Sequence, residues 1–292
     1  MKVKFVTAIY NNLFGTEYGG RQNRGSHYKW SLFSLLRMTD ADFVCYTSKN
    51  DINKLEDFFF NERGVDRSRI TFKVFELPKT KHFELINKIK NVESVKSSDR
   101  CFEIQYNKFF WLSKETKGYD YCYWIDAGLC HCGLIPNKYL VNELGYESSF
   151  FNSYFFDNQF LSNLLKITEE NIILFRKENQ NYFWSFTVPE KYYNNFNSSY
   201  HVIGGLFGGK IKNVKWLAKE FEKVMLHIVN EENRLFAEEQ FMGLIYGNNK
   251  EKFTSCEFDI WWNEDSGPRD LDPSYYDDKK SFYKCLEGIK FL

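Results

Sequence analysis

The sequence has no apolar run of the kind that crosses a membrane or directs export. No stretch approaches the ~18 consecutive apolar residues of a membrane helix, and the apolar start of the chain is shorter than the core of a signal peptide. We therefore expect a cytoplasmic protein without a transmembrane segment. The seven cysteines are an odd number in a long chain, and in a cytosol they would be reduced thiols.

A charge excess of either sign is also missing. Lys and Arg together number 39, as do Asp and Glu, so the formal net charge is zero. This balance argues against a globally basic nucleic-acid binder, although it leaves room for a local basic patch. Hydrophobic residues make up 43% and charged residues 27% of the chain, which excludes a disordered protein and allows a sizeable core.

Several common functional signatures are absent as well. The phosphate loop GxxxxGK[ST], the dinucleotide fingerprint GxGxxG and the hydrolase elbow GxSxG do not occur. Cys130, His131 and Cys132 are adjacent, but no second spaced pair completes the four ligands of a structural zinc site. Only five prolines occur and no Pro/Ser-rich linker divides the chain, so we expect one continuous domain over residues 1–292.

Short β-branched and aromatic runs alternate along the chain with segments of helical apolar spacing. The runs predict strands at residues 2–10, 42–47, 70–77, 120–126 and 201–209. Helices are predicted at residues 28–38, 51–61, 214–229 and 237–246, and over most of 79–117. Asp51 is a candidate N-cap. The alternation predicts an α/β fold with a mostly parallel central sheet flanked by helices. Residues 134–200 form an irregular, aromatic-rich insertion, and 257–278 an acidic loop or tail.

One predicted strand ends in a carboxylate. Residues 123–128 read Tyr-Trp-Ile-Asp-Ala-Gly, so Asp126 ends an apolar run and is followed by Ala127 and Gly128. In open α/β sheets, ligands bind outside the carboxyl ends of the strands. A carboxylate there can hold Mg²⁺ or Mn²⁺, and small residues let a diphosphate approach the backbone. The alternative is an Asp that caps the next turn.

Three further segments offer groups for a ligand. The glycine-rich run at residues 201–209 removes side chains where backbone meets a ligand or, alternatively, another strand. Glu238 and Glu239 lie between apolar residues and could bind sugar hydroxyls or stabilise charge at an anomeric carbon, or else begin a solvated helix. Arg21 and Arg24 follow the first strand and could bind phosphate, or belong to a surface loop.

In this order the segments resemble the GT-A type of nucleotide-sugar glycosyltransferase, and more narrowly the bacterial HtrL/YibB-like family. The matching stretches are FVTAIY at 5–10, Arg-x-x-Arg-x-x-x-Tyr at 21–28, DFVCYT at 42–47, YWIDAG at 123–128, GGLFGG at 204–209 and EEQF at 238–241. The resemblance covers residues 3–250, with the least similarity in 135–195. It implies a GT-A-like, Rossmann-like fold with a nucleotide-sugar-binding half at 1–133 and an acceptor-binding half at 134–292.

The resemblance also implies a donor site at the ends of the predicted strands. The residues that it assigns to the nucleotide sugar are Thr7, Ala8, Tyr10, Arg21, Arg24, Asp126, Ala127 and Gly128. Thr7, Ala8 and Tyr10 would line the nucleoside pocket. Asp126 would also hold a divalent metal ion, Mn²⁺ or Mg²⁺, and a UDP-sugar is the expected donor.

The cleft for the transferred sugar and the acceptor is implied to lie beside this donor site. The resemblance assigns its lining to His201, Gly204 and Gly205. Glu238 and Glu239 would be the catalytic acids that grip the sugar and the acceptor.

The chain departs from the family pattern at the metal motif. A typical GT-A enzyme has Asp-x-Asp, whereas residues 124–128 read Trp-Ile-Asp-Ala-Gly and contain one acid. A second metal ligand would have to come from elsewhere in the chain, and Asp259 and His131 are the candidates.

The implied reaction transfers a sugar to an acceptor hydroxyl, and two acceptors stay open. One is a bacterial surface glycan, either lipooligosaccharide or polysaccharide. The other is a hydroxymethylated base in phage DNA, whose phosphates Lys88, Lys108 or Lys114 would contact; the location would then be the host cytoplasm rather than a bacterial cytosol. A different class also remains, a non-catalytic nucleotide- or glycan-binding module, because a fold does not fix a function.

Overall fold

A computed structural model describes the chain in nine stretches: residues 1–10, 28–29, 32–33, 35–36, 39–92, 101–127, 158–177, 188–192 and 201–257. The strands are β1 (Val3–Ile9), β2 (Asp42–Thr47), β3 (Ile70–Val74), β4 (Tyr121–Ile125), β5 (Ile172–Lys177), β6 (His201–Lys210) and β7 (Phe253–Glu257). The helices are α1 (Lys49–Glu56), α2 (Phe83–Val92), α3 (Phe102–Lys114), α4 (Asn158–Ile167), α5 (Ile211–Glu232) and α6 (Glu238–Asn248).

Short helical turns join several of these elements. A π-helical turn at Asp57–Glu62 extends α1, and 3-10 turns lie at Leu77–Lys79, Glu190–Tyr192 and Lys250–Lys252. Residues 28–29, 32–33 and 35–36 are also helical. Within the described ranges, none of the helices combines the length and the apolar character needed to span a bilayer.

The seven strands form one sheet in the order β3-β2-β1-β4-β6-β5-β7. The neighbours from β3 to β4 run parallel, as do β5 and β7. β6 runs antiparallel to both β4 and β5. The prediction of an α/β fold with a mostly parallel sheet is therefore confirmed, and the carboxyl ends of β1, β2 and β4 meet at one edge.

Both faces of the sheet are covered, which is why its strands are apolar on both sides. One face packs against the α1 region and α4 through buried residues that include Phe5, Phe43, Tyr123, Leu55, Phe59 and Leu164. The other packs against α2, α3, α5 and α6 through residues that include Val6, Tyr46, Trp124, Ile86, Phe109, Phe221 and Phe241. Successive residues of β1 and β4 alternate between these two cores, as strand geometry requires.

Two sequence-based expectations about secondary structure are wrong. α1 begins at Lys49 rather than at Asp51, because Ser48 is its N-cap and accepts a hydrogen bond from the Asp51 N–H at 3.2 Å. The Ser48 hydroxyl donates in turn to the Asp51 carboxylate at 2.7 Å, a reciprocal arrangement that fixes the first turn. The region 134–200, expected to be irregular, contains α4 and β5, an interior strand of the sheet whose residues 172–175 are buried.

Two glycines near the end of β6 allow its close contact with neighbouring backbone. Gly208 and Gly209 have φ values of +149° and +157°, in a region that L side chains rarely adopt. A Cβ on Gly208 would lie 2.3 Å from the Cys122 carbonyl oxygen, and one on Gly209 2.8 Å from the Asn171 carbonyl oxygen. These two glycines of the run therefore serve the packing of the sheet.

A buried carboxylate ties α3 to the first strands. Glu115, just after α3, accepts hydrogen bonds from the Tyr46 hydroxyl at 2.6 Å and from the Lys73 ammonium at 2.6 and 2.7 Å. The Lys4 ammonium lies 3.4 Å away. Burial alone would raise the pKa of Glu115, but Lys73 and Tyr46 outweigh it and hold that pKa below its ordinary value of 4.5.

We expect Glu115→Gln to lower the free energy of unfolding at pH 7 by about 1–3 kcal/mol, the usual cost of removing one partner from a buried charged hydrogen bond. Because the folded state lowers this pKa, the carboxylate stabilises the fold above pH 4.5, and its contribution declines as the pH falls below that value. The difference between wild type and variant should therefore shrink in acid. Urea denaturation at several pH values measures it.

The matched control is Glu170→Gln, which removes an exposed carboxylate that pairs with Lys210 and Lys212. Its side chain is 69% exposed, so its loss should change stability little. Equal effects of the two substitutions, or a difference that does not depend on pH, would contradict the role assigned to Glu115.

Candidate functional site

The candidate site lies where β4 ends beside the start of β6. Asp126 directly follows β4, and its backbone N–H donates to the Gly205 carbonyl oxygen at 2.8 Å. This bond continues the antiparallel pairing of β4 with β6 and fixes the backbone of Gly204 and Gly205 next to Asp126. The carboxylate thus stands at the carboxyl edge of the sheet, the edge where open α/β folds bind ligands.

A buried lysine from α3 links the acids at this edge. The Lys108 ammonium donates to Glu238 Oε1 at 2.8 Å and to the Gly204 carbonyl oxygen at 3.1 Å. It also lies 3.1 Å from Asp126 Oδ1 and 3.3 Å from Oδ2. Lys108 is only 6% exposed, so this ion pair is shielded from solvent and from salt.

The charge of Lys108 depends on its acidic neighbours. Burial by itself lowers the pKa of a lysine, but Asp126 and Glu238 more than reverse that effect, and the pKa of Lys108 is raised above its ordinary value. Lys108 therefore remains an ammonium ion at physiological pH.

The indole of Trp124 orients the Asp126 carboxylate. Its Nε1–H donates to Asp126 Oδ1 at 2.7 Å, and the Lys108 ammonium lies 5.7 Å from the centroid of its ring. The ring itself is buried at the end of β4. The carboxylate of Asp126 is thus held from two directions, with 32% of its side chain exposed.

The two acids of the predicted pair occupy the first turn of α6 and point to different partners. Glu238 is 4% exposed and pairs with Lys108. Glu239 is half-buried, and its Oε1 accepts a hydrogen bond from the Gly204 N–H at 3.1 Å. Acids in this position also suit the positive end of the helix dipole. Both therefore contact the beginning of β6, and Glu239 is the more accessible.

Gly204 makes this close arrangement possible. A Cβ at this position would lie 2.8 Å from Glu238 Oε1 and 3.4 Å from the Lys108 ammonium. A side chain would therefore push apart the acid and the lysine that the glycine lets approach. The glycines of the run therefore have two functions. Gly204 allows the close contacts of the candidate site, whereas Gly208 and Gly209 allow the close packing of the sheet.

The residues predicted for the nucleoside pocket lie at the same edge, at the end of β1. Thr7 is fully buried, and its hydroxyl has no hydrogen-bond partner among the described residues. Ala8 is half-buried. Tyr10 is buried, donates its hydroxyl to the Phe75 carbonyl oxygen at 2.7 Å and stacks on Trp111. Any contact of Tyr10 with a ligand would thus be made by its ring or backbone.

The structure brings together only part of the predicted set. Asp126, Gly204, Gly205, Glu238 and Glu239 form one cluster. Ala127 is buried beside it, and His201 begins β6. Other predicted site residues lie outside the described residues, namely Arg21, Arg24, Gly128, His131 and Asp259.

Lys108 and Trp124 are the site residues that sequence reasoning missed. Lys108 was assigned to DNA phosphates, which is wrong, because its ammonium is buried among acids. Lys88 and Lys114 are exposed. One signal was available in the sequence: Lys108 lies in a helical segment that contains five aromatic residues.

No protein-family model and no curated protein sequence matches the chain. Among solved structures, mouse xyloside xylosyltransferase 1 in its apo form is similar, with a TM-score of 0.50 and 10% identity over 95% of this chain and 90% of that one. The galactosyltransferase LgtC, in complex with donor and acceptor sugar analogues, has a TM-score of 0.49 and 10% identity over 88% of this chain and 73% of that one. Core-mannan synthase A from Aspergillus fumigatus, in an Mn/GDP form, has a TM-score of 0.49 and 8% identity over 87% of this chain and 72% of that one.

The chain has the GT-A fold. The xylosyltransferase shares it over nearly the whole of both chains, and the seven-stranded, mostly parallel sheet flanked by helices agrees. At 10% identity the likeness concerns the fold alone. The HtrL/YibB-like resemblance stays a prediction.

The resemblance implies that Asp126 of this chain holds a divalent metal ion, Mn²⁺ or Mg²⁺. Within the part of the chain that the structure describes, no three His, Cys, Asp or Glu side chains form a ligand group. Asp126 and Glu238 both contact Lys108. The Lys108 ammonium already compensates the charge of these two carboxylates, and it would repel a divalent ion placed beside them. The described residues therefore do not fit a metal ion at Asp126.

Proposed function

We propose that the protein is a nucleotide-sugar-dependent glycosyltransferase, of the EC 2.4 class, whose active site is the cluster of Asp126, Glu238 and Glu239. The observation that carries the proposal is the Lys108 ammonium, which joins Asp126 to Glu238 beside the Gly204 carbonyl at the carboxyl edge of the sheet. Burying a lysine between two acids costs solvation, so its placement at the ligand edge of a GT-A fold indicates a functional arrangement.

The donor sugar would be bound by this cluster through its hydroxyl groups. Carboxylates accept hydrogen bonds from hydroxyls, and ion pairing to Lys108 holds Asp126 and Glu238 in fixed positions. The side chain of Asp126 is partly exposed at the edge of the sheet. There it would accept a hydrogen bond from a hydroxyl group of the donor sugar. Because fixed groups need no rearrangement on binding, they favour one orientation of the anomeric carbon.

Glu239 is the proposed catalytic residue. It is the more exposed acid of the pair and is held by the Gly204 N–H. There it would accept a hydrogen bond from the attacking acceptor hydroxyl, or stabilise positive charge at the anomeric carbon, as the bond to the leaving phosphate breaks. Glu238 would act through Lys108 as a positioning residue.

The nucleotide part of the donor, proposed to be a UDP-sugar, would lie against the end of β1. Ala8 and the backbone around Thr7 and Tyr10 would line the nucleoside, and Arg21 and Arg24 would offset the charge of the diphosphate. The acceptor is proposed to be a hydroxyl of a bacterial surface glycan or of a hydroxymethylated base in phage DNA. Exposed Lys88 and Lys114 are the residues still available for phosphate contacts in the second case.

A label-transfer assay tests the proposal. The purified protein is incubated with radiolabelled nucleotide sugars and with a lipid-linked oligosaccharide, hydroxymethylated duplex DNA or unmodified duplex DNA. We expect transfer from a UDP-sugar to one of the first two acceptors and none to unmodified DNA. Asp126→Asn should reduce transfer by at least roughly 100-fold, the effect of a lost electrostatic contact in an active site.

Two results would contradict the proposal. One is full activity of Asp126→Asn, with the same melting temperature as wild type. The other is thermal stabilisation by a nucleotide sugar with neither transfer nor hydrolysis of any donor, which would instead indicate a non-catalytic binding module.

A further inference from the structure

We infer that Asp126 does not bind a divalent metal ion in this protein, because Lys108 already serves as a built-in cation for that carboxylate. The inference rests on the proposed function only for the role of Asp126 in a donor site. Its experimental test measures ion binding and needs no turnover.

The first argument is the saturation of Lys108. An ammonium group has three hydrogens to donate, and three different groups accept them: Glu238 Oε1 at 2.8 Å, the Gly204 carbonyl oxygen at 3.1 Å and Asp126 Oδ2 at 3.3 Å. The stem of the side chain is buried with its head. A metal ion that bound Asp126 would have to displace the Lys108 ammonium. The displaced ammonium would leave Glu238 and the Gly204 carbonyl without their hydrogen-bond donor.

The second argument is the occupation of Asp126 itself. Its Oδ1 accepts from the Trp124 indole N–H at 2.7 Å and contacts Lys108, while its Oδ2 lies 3.3 Å from the same ammonium. A metal ion bound through either oxygen would share that oxygen with a positively charged donor. Glu238, the second carboxylate that contacts this ammonium, lies 2.8 Å from it.

The arrangement also accounts for the single acid of the Trp-Ile-Asp-Ala-Gly motif. The second acid of an Asp-x-Asp motif serves to bind a metal ion. A carboxylate whose charge is compensated by a lysine does not bind one, so it needs no second acid. The charge that offsets a donor diphosphate would then come from protein cations, for which Arg21 and Arg24 are the sequence candidates.

Titration with Mn²⁺, followed by the electron paramagnetic resonance signal of the free ion, tests the inference. Wild type and Asp126→Asn should bind Mn²⁺ equally, whether both bind none or both bind at a site elsewhere. Lys108→Met should gain a Mn²⁺ site, because Asp126 and Glu238 are released. That gained site should disappear in the double variant Lys108→Met/Asp126→Asn.

Lys191→Met is the matched control. Lys191 also bridges two carboxylates, Glu231 at 3.0 Å and Glu232 at 2.5 Å, but it is 54% exposed. Its removal should not create Mn²⁺ binding that depends on Asp126. Circular dichroism checks that each variant is folded. If Lys108→Met does not fold, Lys108→Gln replaces it in the test, because glutamine fills nearly the same volume. The comparison of wild type with Asp126→Asn does not depend on either variant.

Mn²⁺ binding to wild type that is weakened at least roughly tenfold by Asp126→Asn would overturn the inference. So would a Lys108→Met variant that is folded and binds no more Mn²⁺ than wild type. A failure to find sugar transfer would contradict the proposed function, but it would leave both ion-binding results unchanged, so the two can be told apart.

Discussion

Glu239→Gln is expected to lower kcat by at least roughly 100-fold with little change in donor affinity. Replacement of a catalytic carboxylate by an amide removes the acid–base or electrostatic contact and keeps the shape, and such contacts contribute 10²- to 10⁴-fold. Glu239 keeps its position in the variant, because the amide oxygen can still accept from the Gly204 N–H. Steady-state kinetics with the active donor measure both parameters.

Glu238→Gln should behave differently. It removes one of the two carboxylates that pair with Lys108, and we expect a loss of about 1–3 kcal/mol in the free energy of unfolding. The loss in kcat should be milder than in Glu239→Gln. The main change should be in the donor KM, because Glu238 acts through Lys108 on the Asp126 carboxylate that binds the donor. Near-wild-type kinetics for both variants would show that the acids only begin a helix, and the reverse order of severity would assign the catalytic role to Glu238.

Gly208→Ala is expected to prevent stable folding. The added Cβ would lie 2.3 Å from the Cys122 carbonyl oxygen and 2.7 Å from the Tyr123 Cα, and both atoms belong to the backbone of the neighbouring strand β4. Backbone atoms cannot rotate away as a side chain can, and the φ of +149° adds strain of its own. We expect a loss of more than about 4 kcal/mol, which is a large part of the stability of an ordinary domain.

Gly64→Ala is the control for the backbone strain alone. Gly64 has a φ of +63°, but no atom lies within 4 Å of the position of its Cβ. Its substitution should therefore cost only about 1–2 kcal/mol. Soluble expression and thermal unfolding compare the two variants. A Gly208→Ala protein that melts within a few degrees of Gly64→Ala would show that β6 can move away from β4.

The sequence was most informative where a local pattern decides the structure. The end of β4 beside Asp126 could be predicted, because the apolar run is followed directly by a carboxylate. The two glycine pairs of β6 could be found in the same way, because they form a local pattern in the sequence. The direction of β6 could not be predicted, since a short run does not indicate whether its partner strand is parallel or antiparallel. β5, with the sequence Ile-Ile-Leu-Phe-Arg-Lys, was missed because a short apolar run resembles a buried helix segment as much as a strand.

Lys108 shows the limit of this reasoning for the site. Its partners Gly204 and Glu238 are 96 and 130 residues away in the sequence, and periodicity reports only on neighbours along the chain. A lysine in a helix is ordinarily an exposed residue. Only the packing of α3 against β6 and α6 reveals that this one faces acids, and this contact changes how the single acid of the motif is interpreted.

The position of Trp124 gives the site an optical signal of its own. Its indole N–H donates to Asp126 at 2.7 Å, and the Lys108 ammonium lies 5.7 Å from the ring centroid. The excited state of indole is more polar than its ground state, so its fluorescence responds to nearby charges and hydrogen bonds. A ligand that takes over a hydrogen bond of Asp126 will change that emission in the unlabelled protein. Trp124→Phe, which keeps an aromatic ring in the core, identifies this contribution among the seven tryptophans of the chain.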